Sequence, residues 1–249
     1  IMGRIIAIAN QKGGVGKTTT SINLSSCIAA KGKKVLVVDI DPQGNTTSGY
    51  GIEKNDLDNT IYELMLGDCS IEDCIIKDVI ENISILPSNV NLAAAEIELI
   101  GVDKKEYILK NEIDYIIIDC PPSLSLLTVN AMTTADSVLV PIQCEYYALE
   151  GLSQLIHTVN LVKERLNPNL EMEGVVFTMY DSRTNLSAQV VENVKSHLNQ
   201  KVYRTVIPRN IRLAEAPSYG QPINIYDPKS AGAESYLALA EEVIDRKGE

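Results

Sequence analysis

Residues 10–19 read Asn10-Gln11-Lys12-Gly13-Gly14-Val15-Gly16-Lys17-Thr18-Thr19 and lie between the apolar run Ile5 to Ala9 and a segment of helical spacing that starts at Thr18. A glycine-rich turn between a strand and a helix lets successive backbone N–H groups face a phosphate chain, and the helix N-terminus adds partial positive charge. The stretch therefore predicts a phosphate-binding loop. The expected nucleotide contacts are Lys12, Gly13, Gly14, Val15, Gly16, Lys17, Thr18 and Thr19.

Two lysines and a threonine carry the predicted chemistry of this loop. Lys17 stands where an ammonium group reaches the β- and γ-phosphates, and Thr18 offers its hydroxyl to Mg²⁺. The usual G-x-x-x-x-G-K-[ST] spacing fails at Gln11, which occupies the place of the first glycine. Lys12 adds a second cation, for which a solvated loop residue is the alternative interpretation.

Carboxylates follow two further predicted strands. Val35 to Val38 runs into Asp39-Ile40-Asp41-Pro42-Gln43, and Tyr115 to Ile118 runs into Asp119-Cys120-Pro121-Pro122. Open α/β sheets bind ligands at the carboxyl ends of their strands, so acids there are placed for metal-bound or attacking water. We expect Asp119 to act as a Walker B aspartate that binds Mg²⁺ through water together with Thr18, with Asp39 in the outer magnesium shell. Acids that merely cap strand ends are the alternative.

Short β-branched runs alternate with longer segments of helical spacing along the whole chain. Such alternation predicts an α/β fold, a single P-loop NTPase domain over residues 1–249 with a mostly parallel twisted sheet and helices on both faces. Gly44 to Asp58 is expected to be the least structured stretch, and Ile1, before Met2, a cloning remnant. Further predicted strands are Ile83 to Leu86, Ser137 to Pro141, Gly174 to Thr178 and Val202 to Ile207; predicted helices are Thr18 to Ala30, Leu92 to Lys110, Leu149 to Leu166, Ala188 to His197 and Ala233 to Arg246.

The composition narrows the function classes. The 249 residues hold 22 Lys and Arg against 33 Asp and Glu, a net charge of −11, which excludes a uniformly basic coat for nucleic acid. With no Trp and one Phe, stacking platforms for single strands are scarce. Five cysteines without C-x-x-C argue against a disulfide framework and an iron–sulfur or zinc cage, and fit a reducing cytoplasm. No apolar run approaches the roughly 18 residues that span a bilayer.

The loop's K-G-G-x-G-K-T form, with Lys12 as the extra lysine, resembles the deviant Walker A motif of the ParA/MinD superfamily of dimerising ATPases. The resemblance implies ATP and Mg²⁺ as cofactors, an ATP-dependent homodimer, and a Lys12 that crosses to the partner subunit's nucleotide. It also implies that Asp41 helps to activate the hydrolytic water, and that the base packs near Pro208 and Asn210. Thr178-Met179-Tyr180-Asp181 lacks the lysine of a guanine-binding motif, so guanine specificity is not supported, although Asp181 leaves GTP as an alternative.

Residues 183–212 form a basic segment in an acidic chain, with six basic residues against one acidic residue, a net charge of +5 that leaves −16 for the remainder. Such a segment is a candidate surface for a polyanion, although a solvated face is an equal alternative. Residues 143–151, 181–186, 206–213 and 215–220 resemble the chromosomal ParA branch called Soj. That resemblance implies non-specific binding of double-stranded DNA by the ATP-bound dimer through Arg183 and Arg212, and we add Arg209 as a candidate.

The resemblance thus implies a DNA-partitioning ATPase that is cytoplasmic and nucleoid-associated. Its ATP hydrolysis is expected to be slow for the protein alone and to be stimulated by DNA and by a ParB/Spo0J-type protein.

A MinD-like membrane-cycling ATPase is the main alternative, but it needs a basic amphipathic C-terminal helix, and residues 240–249 carry four acids and two bases. An iron–sulfur carrier of the superfamily would need paired cysteines, with Cys120 as the one candidate. A synthetase of the cobyrinate or dethiobiotin type would leave Lys12, Asp41 and the late arginines unexplained. The segment before Tyr115 is shorter than the resemblance leads us to expect.

Overall fold

The computed structural model describes residues 3–98, 113–145, 148–198 and 201–246, and of residues 96–98 it describes the backbone alone. Within these ranges eight strands form one sheet in the order β3-β4-β2-β5-β1-β6-β7-β8, in which β3 and β4 pair antiparallel and the other neighbours pair parallel. The strands are β1 Arg4–Ile8, β2 Val35–Asp39, β3 Ile76–Ile80, β4 Ile83–Leu86, β5 Tyr115–Asp119, β6 Ser137–Gln143, β7 Glu171–Tyr180 and β8 Val202–Pro208.

Helices cover both faces of this sheet. They are α1 Lys17–Ala29, α2 Asn45–Gly49, α3 Ile61–Leu66, α4 Ile71–Cys74, α5 Leu92–Glu98, α6 Leu126–Thr134, α7 Ala148–Arg165, α8 Asn185–Leu198, α9 Ile211–Glu215, α10 Ile223–Tyr226 and α11 Ala231–Asp245, with 3₁₀ turns at Lys54–Asp56 and Ala216–Tyr219. The predicted α/β class with a mostly parallel sheet is confirmed.

Alternate side chains of the central strands point into two separate apolar cores, as strand geometry requires. Ile5 and Ala7 of β1 pack into the core that α3 and α5 to α8 cover, whereas Ile6 and Ile8 pack into the core under α1 and α9 to α11. Burial on both faces explains why these strands are continuous aliphatic runs.

Two parts of the chain differ from the sequence-based expectation. The prediction that Gly44 to Asp58 is the least structured stretch is wrong: Gly44 adopts a left-handed conformation (φ 59°) that starts α2, and Thr46 and Thr47 are fully buried. Strand β3 was not predicted, because its half-exposed sequence, Ile76-Lys77-Asp78-Val79-Ile80, lacks the aliphatic run of a buried strand. The predicted helix Leu92 to Lys110 is confirmed as far as Glu98, and its remainder lies outside the described residues.

The strand register gathers the predicted site at one edge of the sheet. Asp39, at the end of β2, lies directly beside Asp119, at the end of β5, and Ile8, at the end of β1, lies on the other side of Asp119. The loop that leaves β1 leads into α1, whose first turns contact Asp119 at the end of β5.

Candidate nucleotide-binding site

The predicted phosphate loop is an open turn that leads directly into α1. Gly14 (φ 74°) and Gly16 (φ 88°) adopt left-handed conformations, which favour glycine, and a Cβ added at Gly14 would meet no atom within 4 Å. No side chain caps the start of α1 at Gly16. Its first backbone N–H groups therefore suit a phosphate. Gly13 is exposed, Val15 is buried and Thr19 is half-buried.

Three residues outside the predicted set brace the loop. The Asn10 side-chain amide donates to the Pro141 carbonyl oxygen at 2.8 Å, and the Asn10 Oδ1 accepts from the Lys12 backbone N–H at 3.0 Å. Thr178 of β7 donates its hydroxyl to the Val15 carbonyl oxygen at 2.8 Å. The loop shape is therefore fixed from β1, β6 and β7, as a preorganised phosphate site requires.

Lys17 lies over the loop that it is predicted to serve. Its ammonium group donates to the Lys12 carbonyl oxygen at 2.9 Å, and its side chain is buried. Burial lowers the pKa of Lys17, and the nearby Asp119 carboxylate offsets part of this change. Lys17 is therefore largely shielded from water, and the attraction between an ammonium group and phosphate oxygens is stronger in such surroundings than in water.

Asp119 and Thr18 come together as the Walker B and phosphate-loop pair that the sequence predicts. The Thr18 hydroxyl donates to Asp119 Oδ2 at 2.9 Å. Two hydroxyls that were not predicted also donate to this carboxylate: Thr46 to Oδ2 at 2.7 Å and Ser21 to Oδ1 at 2.9 Å. Ser21 lies four residues after Lys17 and so on the same face of α1, a spacing that could have indicated its role.

Asp39 is fully buried beside Asp119, and its oxygens accept hydrogen bonds within the chain. Its Oδ1 accepts from the Asp41 backbone N–H at 3.1 Å, and its Oδ2 accepts from the Thr47 N–H and hydroxyl, each at 2.8 Å. Burial raises the pKa of both Asp39 and Asp119 above the usual range of a carboxyl group. A neighbouring cation would therefore stabilise the ionised forms of both carboxyl groups.

The donor set suits Mg²⁺, which prefers hard oxygen ligands and is commonly held by one or two carboxylates together with substrate phosphates. Thr18, Asp119 and Asp39 supply such oxygens beside the phosphate loop. Among the described residues no cluster of three or more His, Cys, Asp or Glu could hold a metal ion.

Asp41 is buried near the mouth of the loop. Its Oδ1 accepts from the Gln43 backbone N–H at 2.9 Å, and its carbonyl oxygen accepts from the Ser88 hydroxyl at 2.9 Å. The carboxylate lies close enough to act electrostatically on Lys17 and Asp119. Its predicted role in orienting water stays a prediction.

Lys12 projects from the loop, and its ammonium group forms an ion pair with Glu145, just after β6. The Lys12 side chain is 45% exposed, so it is held by a surface contact rather than by packing. Its predicted reach to a partner's nucleotide stays a prediction, and Glu145 is a contact that only the fold reveals.

The predicted base pocket lies at the end of β8. Pro208 is the last residue of that strand, and the Asn210 side chain caps α9 by accepting from the Arg212 backbone N–H at 2.8 Å. Asn210 thus has a structural partner, and the contact of both residues with a base stays a prediction.

The predicted DNA-binding arginines are exposed, but two of them are paired with acids of the same chain. Arg183 donates to both carboxylate oxygens of Asp181, at 2.8 and 2.7 Å, and Arg212 pairs with Glu215 at 2.9 Å and Asp227 at 3.5 Å. These acids lie outside residues 183–212. The net charge of the segment therefore overstates how basic the surface is. Arg209 is also exposed.

Comparison with known proteins agrees with this geometry. A family described as an AAA domain matches residues 3–172. The sporulation initiation inhibitor protein Soj of Bacillus subtilis (strain 168) is 59% identical over 97% of this chain and 98% of its own length. The chromosome partitioning protein ParA of Myxococcus xanthus (strain DK1622) is 52% identical over 98% of this chain and 89% of its own length. The chain belongs to the Soj/ParA family of chromosome-partitioning proteins.

Solved structures place this Soj/ParA family member among P-loop ATPases of the ParA/MinD type. Cobyrinic acid a,c-diamide synthase from Mycobacterium smegmatis with bound ADP and magnesium is 36% identical, with a TM-score of 0.85 over 98% of this chain and 94% of its own. The cell division ATPase MinD of Pyrococcus furiosus is 30% identical, with a TM-score of 0.79 over 98% of this chain and 99% of its own. Among the described residues no helix is long and apolar enough to span a bilayer.

Proposed function

We propose that this protein is an ATPase that dimerises with ATP, binds DNA without sequence preference in its ATP state, and segregates chromosomes or plasmids together with a ParB/Spo0J-type protein. It works in the cytoplasm, associated with the nucleoid, and needs no membrane. The observation that carries the proposal is the loop itself: Lys17 lies over it, Thr18 contacts Asp119 at its base, and Lys12 projects from its mouth.

Binding of ATP and Mg²⁺ uses groups that already lie together. Lys17 exchanges its bond to the Lys12 carbonyl for the β- and γ-phosphates, and the open loop supplies backbone N–H groups. Thr18 and Asp119 hold Mg²⁺, with Asp39 behind them. Mg²⁺, when bound, offsets the negative charge that develops on phosphate oxygens during transfer.

Hydrolysis depends on a second subunit in this proposal. Lys12 leaves Glu145 and crosses to the nucleotide of the facing subunit, where a second ammonium group neutralises charge on the phosphates as an arginine finger does in other ATPases. Asp41 orients the attacking water. A single carboxylate is a weak general base, so turnover by the protein alone is slow and the ATP state persists.

Replacement of Asp41 tests the water-positioning role. We expect Asp41→Ala to bind ATP and form the dimer but to lose turnover by about 10²-fold, the lower range for removal of a general acid–base group. Phosphate release in single-turnover conditions measures the loss. An Asp41→Ala protein that hydrolyses ATP at the wild-type rate removes Asp41 from the mechanism.

DNA binding by nucleotide state separates the proposal from its alternatives. We expect retention of double-stranded DNA with ATP and little with ADP at matched salt, because the exposed arginines of two subunits act together. Equal retention with both nucleotides contradicts the gating. A metabolic synthetase, the activity in the name of the M. smegmatis neighbour, would show neither DNA-stimulated nor ParB-stimulated turnover. Recruitment to anionic vesicles would favour the MinD-like alternative.

A further inference from the structure

Two adjacent threonines of α2 fasten the two buried carboxylates of the site, and we call Thr46 and Thr47 the threonine clasp. Thr46 donates its hydroxyl to Asp119 Oδ2 at 2.7 Å, and Thr47 donates its hydroxyl and its backbone N–H to Asp39 Oδ2, each at 2.8 Å. Both threonines are fully buried. One short helix therefore holds the ends of β2 and β5 together through their acids.

The two halves of the clasp have different surroundings. The Thr47 hydroxyl also accepts from the Ser88 backbone N–H at 3.0 Å, so Thr47 ties α2 to the segment after β4 as well as to Asp39. The Thr46 hydroxyl donates to Asp119 Oδ2, the same oxygen that accepts from Thr18 at 2.9 Å. Thr46 thus acts on the predicted Walker B carboxylate, whereas Thr47 acts on Asp39 and on the backbone of the segment after β4.

The orientation of Asp119 determines the orientation of the Thr18 hydroxyl. A hydroxyl that donates its proton to a carboxylate presents its lone pairs elsewhere, and a metal needs such a lone pair. Within the described parts of the chain, Asp119 accepts three side-chain hydroxyls, from Thr18, Ser21 and Thr46. Thr18 and Ser21 both belong to α1, so within the described residues Thr46 is the side-chain contact that holds this carboxylate from a different element, α2.

We propose that Thr46 is a positioning residue for the magnesium ion, because its hydroxyl holds Asp119 in the orientation that directs the Thr18 hydroxyl toward the metal. The inference rests on the proposed function, since it assumes a Mg²⁺–nucleotide complex in this loop. Groups that orient the ligands of a metal typically change its affinity by 10- to 100-fold when they are removed. Thr46 acts through another residue, so the lower end of that range is expected.

The test measures ADP affinity of the full chain by titration calorimetry, once with MgCl₂ and once with EDTA. The ratio of the two affinities is the gain that Mg²⁺ produces. Thr46→Val keeps the shape of the side chain without its hydroxyl, and we expect the gain to fall about tenfold. Thr46→Ser keeps the hydroxyl and should retain the wild-type gain. Thr20→Val is the matched control, because it removes a fully buried hydroxyl that bonds to the Tyr236 hydroxyl at 3.0 Å and contacts no carboxylate.

Each outcome decides between defined possibilities. A wild-type gain in Thr46→Val overturns the inference, and so does a Thr46→Ser protein that loses as much as Thr46→Val, since packing rather than the hydroxyl would then matter. If Thr46→Val does not fold, Thr46→Ala is measured against the same criterion. If the wild-type protein itself shows no gain from Mg²⁺, the proposed function fails, which is a different result from failure of the clasp.

Discussion

The Asp181–Arg183 pair yields a quantitative prediction for DNA binding. Both carboxylate oxygens of Asp181 accept from the Arg183 guanidinium, at 2.8 and 2.7 Å, although the arginine side chain is 83% exposed. The guanidinium holds the pKa of Asp181 well below its usual range, so the acid stays ionised and competes with phosphates at neutral pH. Asp181→Asn removes this competition and keeps an oxygen that can accept from the Arg183 backbone N–H.

The magnitude follows from counterion release. Each cation that gains a phosphate contact changes the slope of log affinity against log salt by about −0.9 on B-form DNA, so two freed arginines in a dimer change it by about −1.8. Between 200 and 50 mM salt, the advantage of Asp181→Asn over the wild type should then grow by roughly tenfold. Fluorescence anisotropy with a random duplex and non-hydrolysed ATP analogue measures both slopes.

The matched control is Asp68→Asn, which makes the same change of charge at an exposed aspartate after α3. We expect its slope to equal that of the wild type. If Asp181→Asn and Asp68→Asn give the same affinity and the same slope, Arg183 does not contact phosphate, and the arginine belongs to a solvated face.

Two further predictions concern stability and the lysine of the loop. Gly220→Ala should lower the free energy of unfolding by about 2 kcal/mol or more, since its φ is 63° and its Cβ would lie 2.5 Å from the Gly51 Cα. Gly32 is the control, because its φ is 77° and an added Cβ would meet no atom within 4 Å, so Gly32→Ala should lower the free energy of unfolding by only about 1 kcal/mol through left-handed strain. If urea unfolding gives equal losses for both variants, the backbone at Gly51 moves to accommodate the added Cβ at position 220. Glu145→Gln should tighten ATP-dependent dimerisation by at most about 30-fold, because the dimer loses one exposed Lys12–Glu145 ion pair from each subunit and each pair contributes no more than about 1 kcal/mol. Weaker dimerisation by sedimentation would instead place Glu145 in the interface.

The buried parts of the fold were predictable because their sequence signals are local. The run Tyr115 to Ile118 is apolar because β5 is covered on both faces. Gly14 and Gly16, just before Lys17, mark the loop because its turn requires left-handed backbone conformations. Asp119 followed from its place at a strand end. Strand β3 escaped prediction because an edge strand with Lys77 and Asp78 carries no such signal.

The contacts that complete the site were less predictable, because they join residues far apart in the chain. Thr46 reaches Asp119 across 73 residues, and Lys12 reaches Glu145 across 133. Contacts between residues so far apart in the chain produce no local sequence pattern from which they could be predicted. The Asp181–Arg183 pair is only two residues apart, so the sequence could have indicated it, but a charge count that begins at Arg183 leaves Asp181 out.

Sedimentation velocity of Asp41→Ala with Mg²⁺ and either ATP or ADP tests most directly whether nucleotide state controls assembly through Lys12. We expect Asp41→Ala to be a dimer with ATP and a monomer with ADP, and the Lys12→Ala/Asp41→Ala double variant to be a monomer with ATP. A protein that stays monomeric when loaded with ATP, or a dimer that forms equally well without Lys12, would contradict this expectation.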